Sequence, residues 1–181
     1  MRFTAKKLAV MAVLVAVSVV LVYLVHFPLF PAAAYLEYDP ADIPILIGAF
    51  LYGPVAGLIL TAAASVIQAF TVSAQNHVYG LIMHILATGT LTTVSSLIYR
   101  RRKTRRAAVI GLLCGTAAMG LIMLPANHFL TPLFMGVPTG AVDALLLPAI
   151  LPFNLIKAGA NSLLTFLLYK SVSRRVPHGE N

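Results

Sequence analysis

Pro152-Phe153-Asn154-Leu155-Ile156-Lys157, followed by Ala158 and Asn161, lies inside an apolar run over residues 145–168. That run is long enough to cross a bilayer, which takes about 20 predominantly apolar residues in a helix. Asn154, Lys157 and Asn161 recur at i, i+3 and i+7, so a helix gathers them on one face. Lys157 is the only basic residue set well inside an apolar segment. Translocon scales charge roughly 2.5–3.5 kcal/mol for a lysine at a helix centre, which makes it a functional candidate. The competing reading is a structural lysine that snorkels to the headgroups. The two asparagines on the same face favour a polar pocket.

The rest of the composition agrees with a membrane setting. Of 181 residues, 60% are hydrophobic and 10% charged, and the mean hydropathy is +0.92. Such a chain is not an ordinary soluble domain but a polytopic, all-α integral membrane protein, expected as a single domain over residues 1–181. The net charge of +8 is not spread as a nucleic-acid surface would be. Arg2, Lys6 and Lys7 precede the first apolar run, six cations crowd residues 100–106, and Lys170, Arg174 and Arg175 follow the last run. Basic clusters flanking spans follow the positive-inside rule, and no aromatic residues interleave with them to stack on bases. The bilayer is therefore an expected partner and nucleic acid is not. Cys114 is the sole cysteine, so no intrachain disulfide forms.

Six spans are expected, at about residues 8–27, 44–52, 54–74, 78–99, 107–124 and 145–169, with both termini cytoplasmic. The first run is too long for a signal-peptide core of about 7–15 residues and is kept as a helix. Ala5, Ala9, Ala12 and Ala16 form a small-residue stripe along it, suited to close packing inside the protein or to a docking partner. Residues 27–44 form an outer loop with Pro28, Pro31 and Pro40 opposing helix and the acids Glu37, Asp39 and Asp42, with Tyr35 and Tyr38 flanking Glu37. Those tyrosines serve either an interfacial belt or a ligand. Asp42 is expected near a helix N-cap, with Pro44 in the first turn.

As one helix, residues 44–75 would reach about 48 Å, beyond a hydrocarbon core of about 30 Å. Gly53-Pro54 breaks the run. Reading it as a short arm and a longer one also places all three basic clusters on the same side. Gln68, alone in its span, is expected to satisfy a neighbouring group. A polar turn at residues 73–77 should separate His77 from His84. Gly111 and Gly115 form a GxxxG, with Gly120 beyond, for close packing in the fifth span, which Pro125 ends or kinks. Lys157 stands thirteen residues before Lys170, about 20 Å along a helix axis. It therefore lies roughly 10 Å below the outer surface of a core of about 30 Å, near the level of Asn127 and the first loop.

No catalytic constellation is visible. His26, His77, His84, His128 and His178 show no HExxH motif or paired carboxylates, so no metal is expected, and no Walker A loop is present. What remains is a pocket with amides from Asn127, Asn154 and Asn161, the Lys157 ammonium and tyrosine hydroxyls. Amides donate and accept, and apolar walls suit a flat ring, so a neutral polyhydroxylated aromatic ligand fits better than a metal.

At these residues the chain resembles a substrate-binding S component of the energy-coupling factor (ECF) vitamin transporters, and within them the riboflavin type. The likeness rests on Tyr38-Asp39-Pro40-Ala41-Asp42-Ile43-Pro44, residues 48–57 around Gly53-Pro54, Ser95-Ser96-Leu97-Ile98-Tyr99 and residues 152–157. It implies a six-helix fold, with flavin contacts at Asn154 and Lys157 and a ribityl contact at Asn127. It also matches Tyr35 or Tyr38, and Tyr79, to family tyrosines at the site. By resemblance the first loop is a lid, and the stripe Ala5, Ala9, Ala12 and Ala16 meets a transmembrane coupling protein (EcfT) driven by two cytoplasmic ATPases. The chain itself would bind riboflavin as transported substrate, with no cofactor and no catalysis, in a prokaryotic cell membrane. The alternatives are an S component for a different vitamin and an intramembrane enzyme.

Overall fold

The computed structural model describes residues 4–72 and 77–173, without the side chains at positions 32, 77, 170 and 173. Helix α1 spans Ala5–Leu24 and starts at Thr4, whose hydroxyl accepts from the Lys7 N–H at 3.3 Å. Only Met11, Val15, Ser18 and Val22 of α1 are buried, a spacing of four, three and four that makes one narrow contact stripe. Ala5, Ala9, Ala12 and Ala16 are all exposed.

The loop after α1 is more structured than its prolines suggested. Strand β1, Phe27–Pro28, pairs antiparallel with β2, Glu37–Tyr38, and a short 3₁₀ turn at Pro31–Ala33 lies between them. Ala33 and Leu36 turn inward onto Val142, Ala149, Ile150 and Phe153, so the loop has an apolar underside.

Helix α2, Asp42–Tyr52, is buried at every residue except Leu51. It is too short to span alone, and it sits deep because α1, α3 and the later helices surround it. The break before α3, Pro54–Phe70, is where the sequence places it: Gly53 adopts φ 93°, a left-handed conformation that costs a side-chain-bearing residue energy. Asp42 is not the cap expected of it. Ala41 takes that position, and the Asp42 carboxylate turns into the protein.

Helices α4, His77–Arg102, and α5, Arg105–Met135, form the main wall. They meet at a two-residue turn where Lys103 has φ 44° and the Thr104 hydroxyl caps α5 by accepting from the Ala107 N–H at 3.1 Å. Gly111 and Gly115 lie against the Ser95 and Leu91 carbonyls, so the backbones touch where any Cβ would intrude. Two expectations fail here. His77 and His84 share α4 with no turn between them, and α5 runs through Pro125 and Pro132 to Met135. Membrane helices tolerate such prolines because neighbouring groups satisfy the freed carbonyls.

The last crossing combines α6, Thr139–Leu145, a π-helical stretch at Leu146–Ile150, and α7, Leu151–Ser173. Pro148 lies in the π stretch; its missing N–H removes one helical bond and favours the wider turn there. Among the described residues, four segments are long and apolar enough to cross a membrane: Ala5–Leu24, Val78–Arg102, Arg105–Met135 and Thr139–Tyr169; α2 and α3 are shorter apolar helices. The chain is thus a six-helix, multi-pass membrane protein, counting the last crossing as one. Of the turn expected at 73–77, residues 73–76 lie outside the described residues and His77 opens α4; the tail from Arg174, with Arg2 and His178, also lies outside them.

Candidate functional site

A cavity of about 190 Å³ opens at the end of the bundle opposite the basic α4–α5 turn. Its walls come from the C-terminal halves of α3 and α5, the N-terminal halves of α4 and α7, and the loop carrying Tyr35 to Asp39. Met83, Met119, Met123, Phe134 and Phe153 supply apolar surface, and Tyr79 stacks obliquely near Phe134 with ring centroids 5.9 Å apart. Methionines adapt to irregular shapes, so such walls accept a flat ring without a rigid slot.

The polar side of the cavity is organised around α7. Lys157 Nζ donates to Asp39 Oδ2 at 2.6 Å, and the two side chains are only 10% and 13% exposed. The other Asp39 oxygen accepts from the Ala41 N–H at 3.0 Å. Burial alone would push the Asp39 carboxyl up; the Lys157 ammonium and these hydrogen bonds outweigh it and hold the group below its ordinary value. A paired ammonium and carboxylate present no net charge to the cavity.

Asn161 lies one helical turn further along the same face. Its amide nitrogen donates to the Asp39 carbonyl at 3.0 Å and to Asp42 Oδ2 at 2.8 Å, and its oxygen accepts from the Tyr38 hydroxyl at 3.0 Å. Thr88 closes the cluster from α4 by donating to Asp42 Oδ1 at 2.6 Å, and Ser18 from α1 donates to the Ala41 carbonyl at 2.9 Å. Burial raises the Tyr38 phenol, with the charges of Asp39 and Asp42 adding to it; burial alone raises Tyr35. Both phenols therefore stay protonated and can donate.

Asn127, Asn154, Lys157, Tyr35 and Tyr79 all line the cavity. Asn154 donates one N–H to the Ile150 carbonyl at 2.8 Å, and Asn127 donates one to the Met123 carbonyl at 2.8 Å while accepting from Thr131. Each amide keeps a second N–H. Of the two tyrosines matched in the loop, Tyr35 lines the cavity; Tyr38 donates to Asn161, and Asn161 stands behind the lining and holds Asp39 and Asp42.

Several residues complete the site that the sequence does not assign to it. Asp39 reads there as a loop acid and Asp42 as a helix-start residue, although an intramembrane lysine calls for a carboxylate partner. Gln68, expected to satisfy a neighbour, has a side-chain nitrogen with no partner among the described residues. His84 lines the cavity with Ser65, whose hydroxyl lies 2.6 Å from its Nδ1. No group of three or more metal-ligating residues occurs among the described residues.

The riboflavin transporter FmnP of Bacillus subtilis is 29% identical to this chain over 160 residues, covering 84% of each sequence. The riboflavin transporter RibU of Staphylococcus aureus is 28% identical over 175 residues, covering 93% of this chain and 90% of its own. A solved structure described as the S component of a bacterial ECF transporter superposes with a TM-score of 0.83 at 26% identity, covering 94% of this chain and 96% of its own. The family described as the ECF transporter, substrate-specific component, matches residues 6–169, from the start of α1 to the end of α7's apolar stretch. By that match, which spans all six crossings, the chain belongs to the substrate-specific components of ECF transporters.

Proposed function

We propose that this chain is the riboflavin-binding subunit of an ECF importer in a prokaryotic cell membrane, taking the vitamin from the outer face. The observation that carries the reading is the charge-balanced polar face of α7: Lys157 is already neutralised by Asp39, and Asn154 and Asn127 keep spare amide capacity beside apolar walls. A neutral ligand with a flat ring and several hydroxyls suits that chemistry, and relatives bearing the name riboflavin transporter support it.

Sidedness follows from charge. Residues 100–106 carry six cations, and the positive-inside rule assigns that turn to the cytoplasm, which puts the cavity under the outer leaflet. In this reading the chain has no catalysis of its own. ATP hydrolysis belongs to two cytoplasmic ATPases coupled through EcfT, and the exposed Ala5, Ala9, Ala12 and Ala16 on α1 provide the contact for that protein.

The test is riboflavin binding to purified protein in detergent, followed by flavin absorbance and by quenching of flavin fluorescence. Wild type should bind, and Asn154→Ala or Asn127→Ala should weaken binding by about 1–3 kcal/mol, as expected when a buried polar partner is lost. A colourless protein that ignores riboflavin but takes another vitamin would overturn the substrate and keep the family. Unchanged affinity in both variants would remove the site.

A further inference from the structure

Buried polar atoms without partners are rare, and each calls for an explanation. Four stand out among the described side chains: Tyr35 Oη, Gln68 Nε2, His84 Nε2 and Ser95 Oγ. The first three belong to residues that line the one cavity described above, and Ser95 does not. Ser95 instead packs at the α4–α5 seam beside Gly111 and Gly115.

The hydrogen on His84 can be assigned from its neighbour. Ser65 Oγ lies 2.7 Å from the Thr61 carbonyl and 2.6 Å from His84 Nδ1. A serine has one proton. If it went to His84, the contact with the Thr61 oxygen would be left with no hydrogen between two acceptors. The bond to Thr61 uses it, so Nδ1 carries the ring hydrogen and donates to Ser65. His84 Nε2 is then a bare acceptor, 4.0 Å from Asp42 Oδ1 and too far for a bond to it. A donor hydrogen brought to this spot is attracted by the imidazole and by the carboxylate behind it. Gln68 Nε2, by contrast, can only donate.

We propose that Gln68 of α3 and His84 of α4, with Tyr35 of the loop, form a second set of hydrogen-bonding groups in the binding cavity besides those of α7. This set hydrogen-bonds a ligand edge that offers an N–H or O–H donor beside a carbonyl or hydroxyl acceptor. The proposal rests on the riboflavin reading and deepens it, since it assigns specificity to α3 and α4. Two parts of a flavin have this chemistry: the imide edge of the ring and the ribityl hydroxyls.

The experiment compares riboflavin with lumiflavin, which keeps the ring and lacks the ribityl chain, on wild type and on Gln68→Met, His84→Phe and Ser95→Ala. Thermal unfolding of each ligand-free protein is followed by circular dichroism. Gln68→Met and His84→Phe should each weaken riboflavin binding by about tenfold or more, the loss of one buried hydrogen bond. Gln68→Met should leave the ligand-free melting temperature unchanged or raised, because it removes an atom that had no partner. Ser95→Ala should leave affinity unchanged. A loss repeated with lumiflavin assigns the set to the imide edge, and a loss confined to riboflavin assigns it to the ribityl chain.

Wild-type affinity in both Gln68→Met and His84→Phe overturns the proposal and leaves the riboflavin reading standing. An equal loss in Ser95→Ala, or a Gln68→Met protein that melts lower without ligand, also overturns it, since the groups would then act through stability. A wild-type chain that binds no riboflavin overturns both.

Discussion

Replacing Lys157 by methionine removes the ammonium and keeps much of the side-chain volume, which leaves Asp39 buried with the Ala41 N–H and no cation. At 2.6 Å and an effective dielectric near 20, the gross attraction lost is about 6 kcal/mol. The net penalty is smaller because the orphaned carboxylate can take up a proton. Protonating a carboxyl of ordinary value 3.8 at pH 7 costs about 4 kcal/mol at 1.36 kcal/mol per unit. That figure falls inside the roughly 3–5 kcal/mol expected for breaking a buried pair by removing one partner. A less costly escape is for residues 27–38 to lift and let water reach the carboxylate, which makes the effect a local opening. Hydrogen–deuterium exchange of the ligand-free protein in micelles reads it directly. Amides of residues 27–38 should exchange about 10²–10³-fold faster in Lys157→Met at pH 7, the equivalent of roughly 3–4 kcal/mol. The double variant Asp39→Asn/Lys157→Met removes the stranded charge and should return to within about tenfold of wild type. Unchanged protection in Lys157→Met, or a double variant as open as the single, would refute the reasoning.

The same pair sets a pH dependence. Asp39 is held below its ordinary 3.8, so its contribution to loop closure is present above that pH and is lost as pH falls through the lower folded value. Wild-type opening, corrected for intrinsic exchange, should stay flat from about pH 7 to pH 4 and rise below; a rise between pH 7 and 5 would contradict the assignment. At the α4–α5 seam, a Cβ on Gly111 would stand 2.6 Å from the Ser95 carbonyl oxygen, which cannot swing aside. Gly111→Val should therefore destabilise the fold by about 1–3 kcal/mol or more in thermal unfolding, whereas Gly140→Ala, with nothing within 4 Å, should not.

Much of the architecture could be read from local pattern. The apolar runs mark the crossings, Gly53-Pro54 marks the break between α2 and α3, and the GxxxG of α5 marks the tight seam. Asn154 and Lys157 are legible because a polar face in an apolar run is costly without a use. The residues that complete the site are not legible in the same way. Asp39 reaches Lys157 across 118 positions and Asp42 reaches Asn161 across 119, and no local periodicity encodes either pairing. Pro125 misled for a related reason: a proline signals a helix end in water, whereas in lipid the surrounding helices keep α5 continuous. Gln68 was read by the rule that buried polar groups find partners, and it is the departure from that rule that makes it informative.

The stretch joining the loop to α2 is fastened from three directions: Ser18 on the Ala41 carbonyl, Asn161 on the Asp39 carbonyl and on Asp42, and Thr88 on Asp42. None of these tethers involves Lys157. If residues 27–38 lift as expected for Lys157→Met, these tethers should hold Ala41 and Asp42 in place and make Asp39 the inner hinge. Because Phe27 follows the end of α1 by only three residues, the displacement should be greatest near the 3₁₀ turn Pro31–Ala33, and a probe near Ala41 should hardly move.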